Sequence, residues 1–163
     1  MKILIDGDSC SVIHNTEHIA KQFDIPCHIY CDTNHMLTSL YSDVHIVDHD
    51  RDSADFAIVN QCETGDIVIT NDSGLAAMVL AKNGTVINSR GFQYTKTNII
   101  GFLNGRYVRT KTKHRTNRNQ MRGKLYNQAP KTQNFDELLS QIIAKIYSSN
   151  ERISITNEST VLC

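Results

Sequence analysis

Short apolar runs alternate with amphipathic segments along the first ninety residues, and this alternation constrains the fold more than any other feature. KILID at residues 2–6 and IVIT at residues 67–70 are typical of buried strands. The segments 11–23 and 52–62 place apolar residues at helical spacing. Strands that alternate with helices form mainly parallel sheets, because each helix returns the chain to the start of the next strand. The sequence therefore predicts an α/β fold with a mainly parallel sheet.

The other elements follow the same alternation. Further strands are predicted at residues 28–31, 44–47 and 85–87, and further helices at 35–41, 75–82, 97–103 and 135–147. A chain of 163 residues is long enough to bury one core without metals or disulfides. We expect a single domain over residues 1–147, with a basic arm at about 106–131 and a loose polar tail at 148–163.

Charge is segregated along the chain although the net charge is zero. Residues 1–72 contain 13 acidic and three basic residues, whereas residues 73–135 contain no acidic residue and 12 basic ones. Carboxylates in the first half can bind divalent cations, and a basic second half can neutralise phosphates. Alternatively, the two halves face each other and form surface ion pairs of little energetic value.

Carboxylates occupy the positions where a parallel sheet binds its ligands. Asp6 ends the first strand and Asp72 follows the strand at 67–70, while Asp55 lies in the first turn of the preceding helix. Grouped carboxylates repel each other unless a cation neutralises them, and Mg²⁺ or Mn²⁺ suits such oxygen ligands. Two such ions can activate water for phosphodiester hydrolysis. We predict Asp6, Asp55 and Asp72 as metal ligands, with Asp8 added to the catalytic set.

Each of these carboxylates also has an ordinary structural use. Asp8, or its neighbour Ser9, could cap the first helix, and Asp72 could cap the helix that follows it. Asp55 and Asp52 could simply stabilise the positive end of a helix dipole. In the functional interpretation, Asp8 or Asp52 orients water or a second ion. Both interpretations stay open at this point.

The basic half contains the candidate contacts to nucleic acid. SRGFQYT at residues 89–95 combines a glycine turn, a cation and aromatics, which suits either a phosphate contact or a hairpin-like turn with a packed tyrosine. The arm at 106–131 could follow a nucleic-acid backbone or be a solvated run of charge. The predicted nucleic-acid-binding residues are Arg90, Lys96, Arg106, Arg109, Arg115, Arg118 and Arg122.

The five cysteines and the N-terminus bear on the compartment. MKILIDGD reaches a carboxylate by its sixth residue, and no apolar run approaches the roughly 20 residues of a membrane span. We therefore expect a cytoplasmic protein with reduced thiols. Cys27 and Cys31 could bind zinc, but their place in a predicted strand, with no second ligand pair, favours core thiols.

The chain resembles the YaiI/YqxD family of bacterial proteins of unassigned function. The matching stretches are IDGDSC (5–10), SADFAIVNQCETGDIVITND (53–72), GLAAMVLAKNG (74–84) and SRGFQYTKTNI (89–99), with fainter matches at APK (129–131) and the closing helix. The resemblance implies a PIN-like three-layer α/β/α sandwich and a metal-dependent ribonuclease site at Asp6, Asp55 and Asp72. Two departures stand out. Ser11 replaces a proline of the family's opening motif, and a further mid-chain glutamate usual in active PIN domains has no match.

These observations support three functional hypotheses. The first is a phosphodiesterase that uses Mg²⁺ or Mn²⁺ and acts on RNA. The second is a non-catalytic nucleic-acid or nucleotide binding module on a PIN-like scaffold, motivated by the missing fourth acid. The third is a protein-interaction module, for which the basic arm and the tail leave room. Because a fold does not determine a function, the site itself has to decide between them.

Overall fold

A computed structural model describes residues 1–33, 37–47, 53–104 and 133–158, with side chains described up to residue 149. The central sheet has six strands in the order β3-β2-β1-β4-β5-β6. They are β1 (Ile3–Asp6), β2 (Cys27–Asp32), β3 (Asp43–Val47), β4 (Ile67–Ile69), β5 (Thr85–Asn88) and β6 (Phe92–Tyr94). All neighbours pair in parallel except β5 and β6, which are antiparallel. The predicted α/β class with a mainly parallel sheet is confirmed.

Helices cover both faces of the sheet and make three layers. They are α1 (Ile13–Gln22), α2 (Ser53–Gln61), α3 (Ser73–Ala81) and α4 (Phe135–Glu158), and residues 99–104 are also helical. Ile3 and Ile5 of β1 point into one core with α1 and α4, while Leu4 points into the other with α2 and α3. Side chains alternate between the faces of a strand, so strands covered on both sides must be apolar throughout. None of the described helices is both long and apolar enough to cross a membrane.

The strand order contains a topological switch point. From β1 the chain moves outward through β2 and β3, then returns to the opposite side of β1 with β4 and β5. The carboxyl ends of β1 and β4 therefore flank the crevice where open α/β sheets bind their ligands. We call the side of the sheet on which β1, β4 and β5 end the carboxyl edge, and the opposite side the amino edge.

Two segments differ from the sequence-based expectation. Residues 37–42 form bends and irregular structure, whereas a short helix was predicted at 35–41, of which 34–36 lie outside the described residues. The hydroxyl of Ser39 accepts hydrogen bonds from the backbone N–H groups of Tyr41 (3.0 Å) and Ser42 (2.8 Å), which replaces helical bonding. At the other end, α4 continues to Glu158 and so extends into the predicted tail.

Candidate functional site

Asp6 is the buried carboxylate at the switch point. It ends β1 and is only 5% exposed. Its Oδ2 accepts hydrogen bonds from the hydroxyls of Ser9 (2.5 Å) and Thr70 (2.7 Å). Burial raises the pKa of Asp6, the two hydroxyls oppose that shift, and the charge of Asp8 adds to it. Within the described residues, no lysine, arginine or histidine forms an ion pair with Asp6.

Asp72 joins the same network through a shared hydroxyl. Its backbone N–H donates to Thr70 Oγ1 (3.0 Å), and that hydroxyl donates to Asp6. The Asp72 side chain caps α3, because its Oδ1 accepts from the backbone N–H groups of Gly74 (2.5 Å) and Leu75 (3.2 Å). The capping interpretation of Asp72 is therefore confirmed, and its backbone, rather than its carboxylate, is linked to Asp6 through the Thr70 hydroxyl.

Asp8 is exposed and turns toward the end of β2. Its two carboxylate oxygens lie 3.2 and 3.1 Å from the backbone nitrogen of Asp32, which donates to them. The suggested cap of α1 by Asp8 or Ser9 is not formed. The N-cap residue is Val12, which makes no side-chain capping hydrogen bond. The hydrogen bonds to β2 hold Asp8 in place, and Asp8 is close enough to Asp6 for its charge to raise the pKa of Asp6.

Asp55 lies in the first turn of α2, where the helix dipole favours a carboxylate. In the described part of the chain, no three His, Cys, Asp or Glu side chains are grouped so that they could hold a metal ion. The predicted ligand set of Asp6, Asp55 and Asp72 is therefore not assembled in this structure. The Asp72 oxygen is used to cap α3, which explains part of the difference. Asp52 lies outside the described residues.

Asn71, which the sequence analysis missed, connects three strand ends. Its side-chain amide donates to the backbone carbonyl of Ser9 (2.5 Å), and its Oδ1 accepts from the backbone N–H (3.2 Å) and hydroxyl (2.8 Å) of Ser89. Its backbone N–H also donates to Ser9 Oγ (3.3 Å). The available signal was an amide side chain directly after an apolar strand, at an edge where the backbone ladder has ended. Asn71 holds the ends of β1, β4 and β5 together.

Arg90 lies in the turn between β5 and β6 and is exposed. Buried Asn88 shapes this turn, because its Oδ1 accepts from the backbone N–H of Arg90 (2.9 Å). Gly91 has a φ of +75° and packs so closely that a Cβ there would lie 2.1 Å from the carbonyl oxygen of Gln133. Tyr94 is buried, so the predicted hairpin-like turn with a packed tyrosine is confirmed. Arg90 is thereby fixed at the carboxyl edge.

Lys96 lies at the amino edge instead. It follows β6, which runs antiparallel to β5, and its Nζ donates to Oδ1 of Asn83 (2.8 Å), just before β5 begins. The two described members of the predicted nucleic-acid set are therefore on opposite edges of the sheet. The remaining members lie outside the described residues: Arg106, Arg109, Arg115, Arg118 and Arg122.

The four cysteines that the structure describes are buried and contribute to packing. Cys10, Cys27, Cys31 and Cys62 are free and buried. Cys10 lies near Asp6, and its Sγ donates a hydrogen bond to the carbonyl oxygen of Ile69 (3.4 Å). Burial raises the pKa of the Cys10 thiol to about 12, and that of Cys27 likewise to about 12. A thiol with such a pKa is a poor nucleophile near neutral pH.

The comparison with known proteins agrees with the resemblance noted from the motifs. The family model described as "Uncharacterized BCR, YaiI/YqxD family" matches residues 4–145. The chain belongs to the YaiI/YqxD family. A "UPF0178 protein" of Clostridium acetobutylicum is 36% identical to this chain over 145 residues. The match covers 89% of this chain and 98% of that protein.

Other YaiI/YqxD-like relatives carry the same kind of name. A "UPF0178 protein" of Natranaerobius thermophilus is 36% identical and covers 91% of this chain and 100% of its own length. One from Clostridium kluyveri is 47% identical over 113 residues, which is 69% of this chain and 74% of that protein. No solved structure matches the chain. These names state no activity, so the function has to be argued from the site.

Proposed function

We propose that this protein is a divalent-cation-dependent phosphodiesterase that acts on RNA at the carboxyl edge of its sheet. One observation carries the proposal. Asp6 is buried at the switch point, next to the acidic Asp8, with no cationic partner among the described residues. A buried carboxylate in that position is costly to ionise unless a cation joins it. Natural proteins tolerate such a cost mainly at functional sites.

The donor chemistry fits a cation that keeps much of its water. Mg²⁺ is usually bound by one or two carboxylates, several waters and the substrate phosphate, rather than by a complete cage of protein ligands. Asp6 and Asp8 supply hard oxygen donors of that kind, whereas a closed three-carboxylate centre is not formed by the described residues. When bound, Mg²⁺ or Mn²⁺ would supply Lewis acidity and a water of lowered pKa.

The residues around Asp6 have separable roles in this proposal. The hydroxyls of Ser9 and Thr70 fix the orientation of the Asp6 carboxylate, because both donate to the same oxygen. Asn71 keeps the ends of the strands in register at the site. Arg90, which is exposed on the same edge, would neutralise a phosphate of the substrate. Ser9, Thr70 and Asn71 are positioning residues.

A labelled single-stranded RNA incubated with Mn²⁺ tests the proposal. We expect the wild type to cleave it, EDTA to stop cleavage, and Asp6→Asn to lower the rate at least about 100-fold. Asp24→Asn is a matched control, because Asp24 is exposed, lies between α1 and β2 and has a φ of 53° that asparagine tolerates well. This control should cleave like the wild type. Equal cleavage by Asp6→Asn, or no cleavage by the wild type, contradicts the proposal.

A non-catalytic nucleic-acid binding module is the second candidate. It is favoured by the lack of a three-residue metal-ligand group in the described part of the chain. In that case RNA affinity should fall steeply with salt, since phosphate contacts release counterions. Asp6→Asn should leave that affinity intact, and no Mn²⁺-dependent turnover should be measurable.

A further inference from the structure

An open cavity of about 880 Å³, lined by both polar and apolar groups, lies beside the candidate site and has no role assigned so far. It is bounded by the start of α1, the turn between β5 and β6, and the start of α4. The lining residues used below are Asn15, Ser89, Arg90, Asn134 and Asp136. Its volume falls in the range of small-molecule sites, roughly 300–1,000 Å³.

The cavity presents charges of both signs from different elements. Arg90 comes from the turn after β5 and forms no ion pair with any described carboxylate. Asp136 comes from the first turn of α4, and both of its oxygens accept from the side-chain amide of Asn15 (3.0 and 3.1 Å). One cation and one oriented carboxylate in the same cavity suit a ligand with an anionic group and neutral hydroxyl donors.

The walls that carry these two charges are held together before any ligand binds. Gly91, next to Arg90, packs directly on the backbone of Gln133, which leads into α4. Asn134 Oδ1 accepts from the backbone N–H of Asp136 (3.2 Å) and so fixes the first turn of α4. Preorganised polar groups bind more tightly because less side-chain freedom is lost on binding.

A continuous hydrogen-bonded path links the cavity to Asp6. Ser89, in the cavity wall, donates from its hydroxyl to Asn71 Oδ1 (2.8 Å). The Asn71 amide donates to the Ser9 carbonyl, and the Ser9 hydroxyl donates to Asp6. A ligand that contacts Ser89 in the cavity would therefore be connected to Asp6 through three hydrogen bonds.

We propose that this cavity binds one nucleotide of the RNA substrate, recognised as a ribonucleoside 5′-monophosphate unit. Arg90 contacts the phosphate, and Asp136, oriented by Asn15, accepts hydrogen bonds from the ribose hydroxyls. A carboxylate that accepts from the ribose 2′-hydroxyl distinguishes ribose from deoxyribose, since only ribose offers that donor. The link to cleavage rests on the proposed function, but binding of a mononucleotide can be measured without it.

Isothermal titration calorimetry of the full chain with AMP, dAMP and adenosine tests this site. We expect AMP to bind at least about 10-fold more tightly than adenosine, because a charge-assisted contact is lost with the phosphate. Arg90→Ala should remove that advantage. Asp136→Asn should remove the preference for AMP over dAMP while keeping the preference over adenosine. Lys82→Ala, at the end of α3 just before β5, is the matched cation control and should bind AMP like the wild type.

The outcomes separate this inference from the proposed function. If AMP binds with the expected pattern among the variants but RNA is not cleaved, the nucleotide site is supported and the proposed phosphodiesterase activity is contradicted. RNA cleavage with no AMP binding, or AMP binding that Arg90→Ala and Asp136→Asn leave unchanged, overturns the nucleotide site alone. Circular dichroism checks that both variants are folded, and Arg90→Gln, a milder change at an exposed position, must reproduce the loss seen with Arg90→Ala.

Discussion

Replacing the Asp6 carboxylate by an amide should stabilise the protein near neutral pH, whereas the same change at Asp66 should destabilise it. Both side chains are buried, with 5% and 2% exposure, but they differ in their partners. Asp66, at the amino edge, accepts from the backbone N–H groups of Lys2 (2.9 Å) and Glu63 (2.9 Å) and pairs with Lys2 Nζ (2.8 Å). Asp6 has two hydroxyl donors and no cationic partner in the described part of the chain.

The sign of the Asp6 effect follows from its pKa, which burial raises. The folded state holds this proton to a higher pH than the unfolded chain, in which an aspartate titrates near about 3.9. The free energy of unfolding therefore falls as pH rises from that value through the folded pKa, by about 1.4 kcal/mol for each unit of elevation. Asp6→Asn escapes this loss, so we expect a gain on the order of 1 kcal/mol and a Tm higher by about 2–4 °C.

The opposite sign is expected at Asp66. Asp66→Asn loses an ion pair and weakens two charge-assisted hydrogen bonds in a buried position, which costs about 2–4 kcal/mol. For a chain of this length that loss lowers Tm by about 5–15 °C. The contrast between the two variants does not depend on burial, which is nearly the same for both carboxylates. It depends on the partners of the carboxylate, which are a lysine and two backbone N–H groups for Asp66 but two hydroxyls for Asp6.

Thermal unfolding followed by circular dichroism between about pH 4 and pH 8, in EDTA, measures both effects. The advantage of Asp6→Asn over the wild type should shrink toward the acid end, because the unfolded chain also begins to bind the Asp6 proton as the pH approaches about 3.9. Mn²⁺ should then raise the Tm of the wild type and leave that of Asp6→Asn unchanged, because a ligand stabilises only the state that binds it. If Asp6→Asn lowers Tm at neutral pH as Asp66→Asn does, the reasoning about an uncompensated Asp6 charge is refuted.

Three further predictions concern Gly91 and Thr70 at the carboxyl edge and His28 in β2. Gly91→Ala should lower the free energy of unfolding, measured by chemical denaturation, by about 3 kcal/mol, because its Cβ would lie 2.1 Å from a backbone oxygen at a φ of +75°. Gly65→Ala, with a φ of +89° and open space around it, should lower it by only about 1–2 kcal/mol. Equal losses in the two variants would contradict the close contact at Gly91. Thr70→Val should cost about 2 kcal/mol by removing the hydroxyl that donates to Asp6, and Thr70→Ser should restore most of the loss; a neutral Thr70→Val would remove the role of that bond. The pKa of His28 is lowered mainly by burial, so an NMR titration should place it below about 6.5, with stability decreasing as pH falls below that value; a normal or raised pKa would show that the ring is solvated.

Local sequence was sufficient for most of the elements and for the strand-end carboxylates, although β6 was not among the predicted strands. The spacing of apolar residues indicates which faces are buried in the strands β1 and β4 and in the helices α1 and α2. This spacing can be read from residues that are close together in the sequence. The position of Asp6 at a strand end follows directly from this pattern. Where a side chain competed with the backbone, as Ser39 does, the apolar pattern alone predicted the wrong structure.

The site itself was decided by tertiary structure. Thr70 reaches Asp6 because β4 pairs with β1 across more than sixty residues of sequence, and no local pattern specifies that pairing. Similarly, Arg90 and Lys96 lie on opposite edges because β6 runs antiparallel to β5. Sequence alone therefore determined which residues are apolar or charged and where most of the helices and strands lie. Only the packing of distant segments decided which polar groups meet, because strand order is set by the burial of both faces of the sheet rather than by the order of residues along the chain.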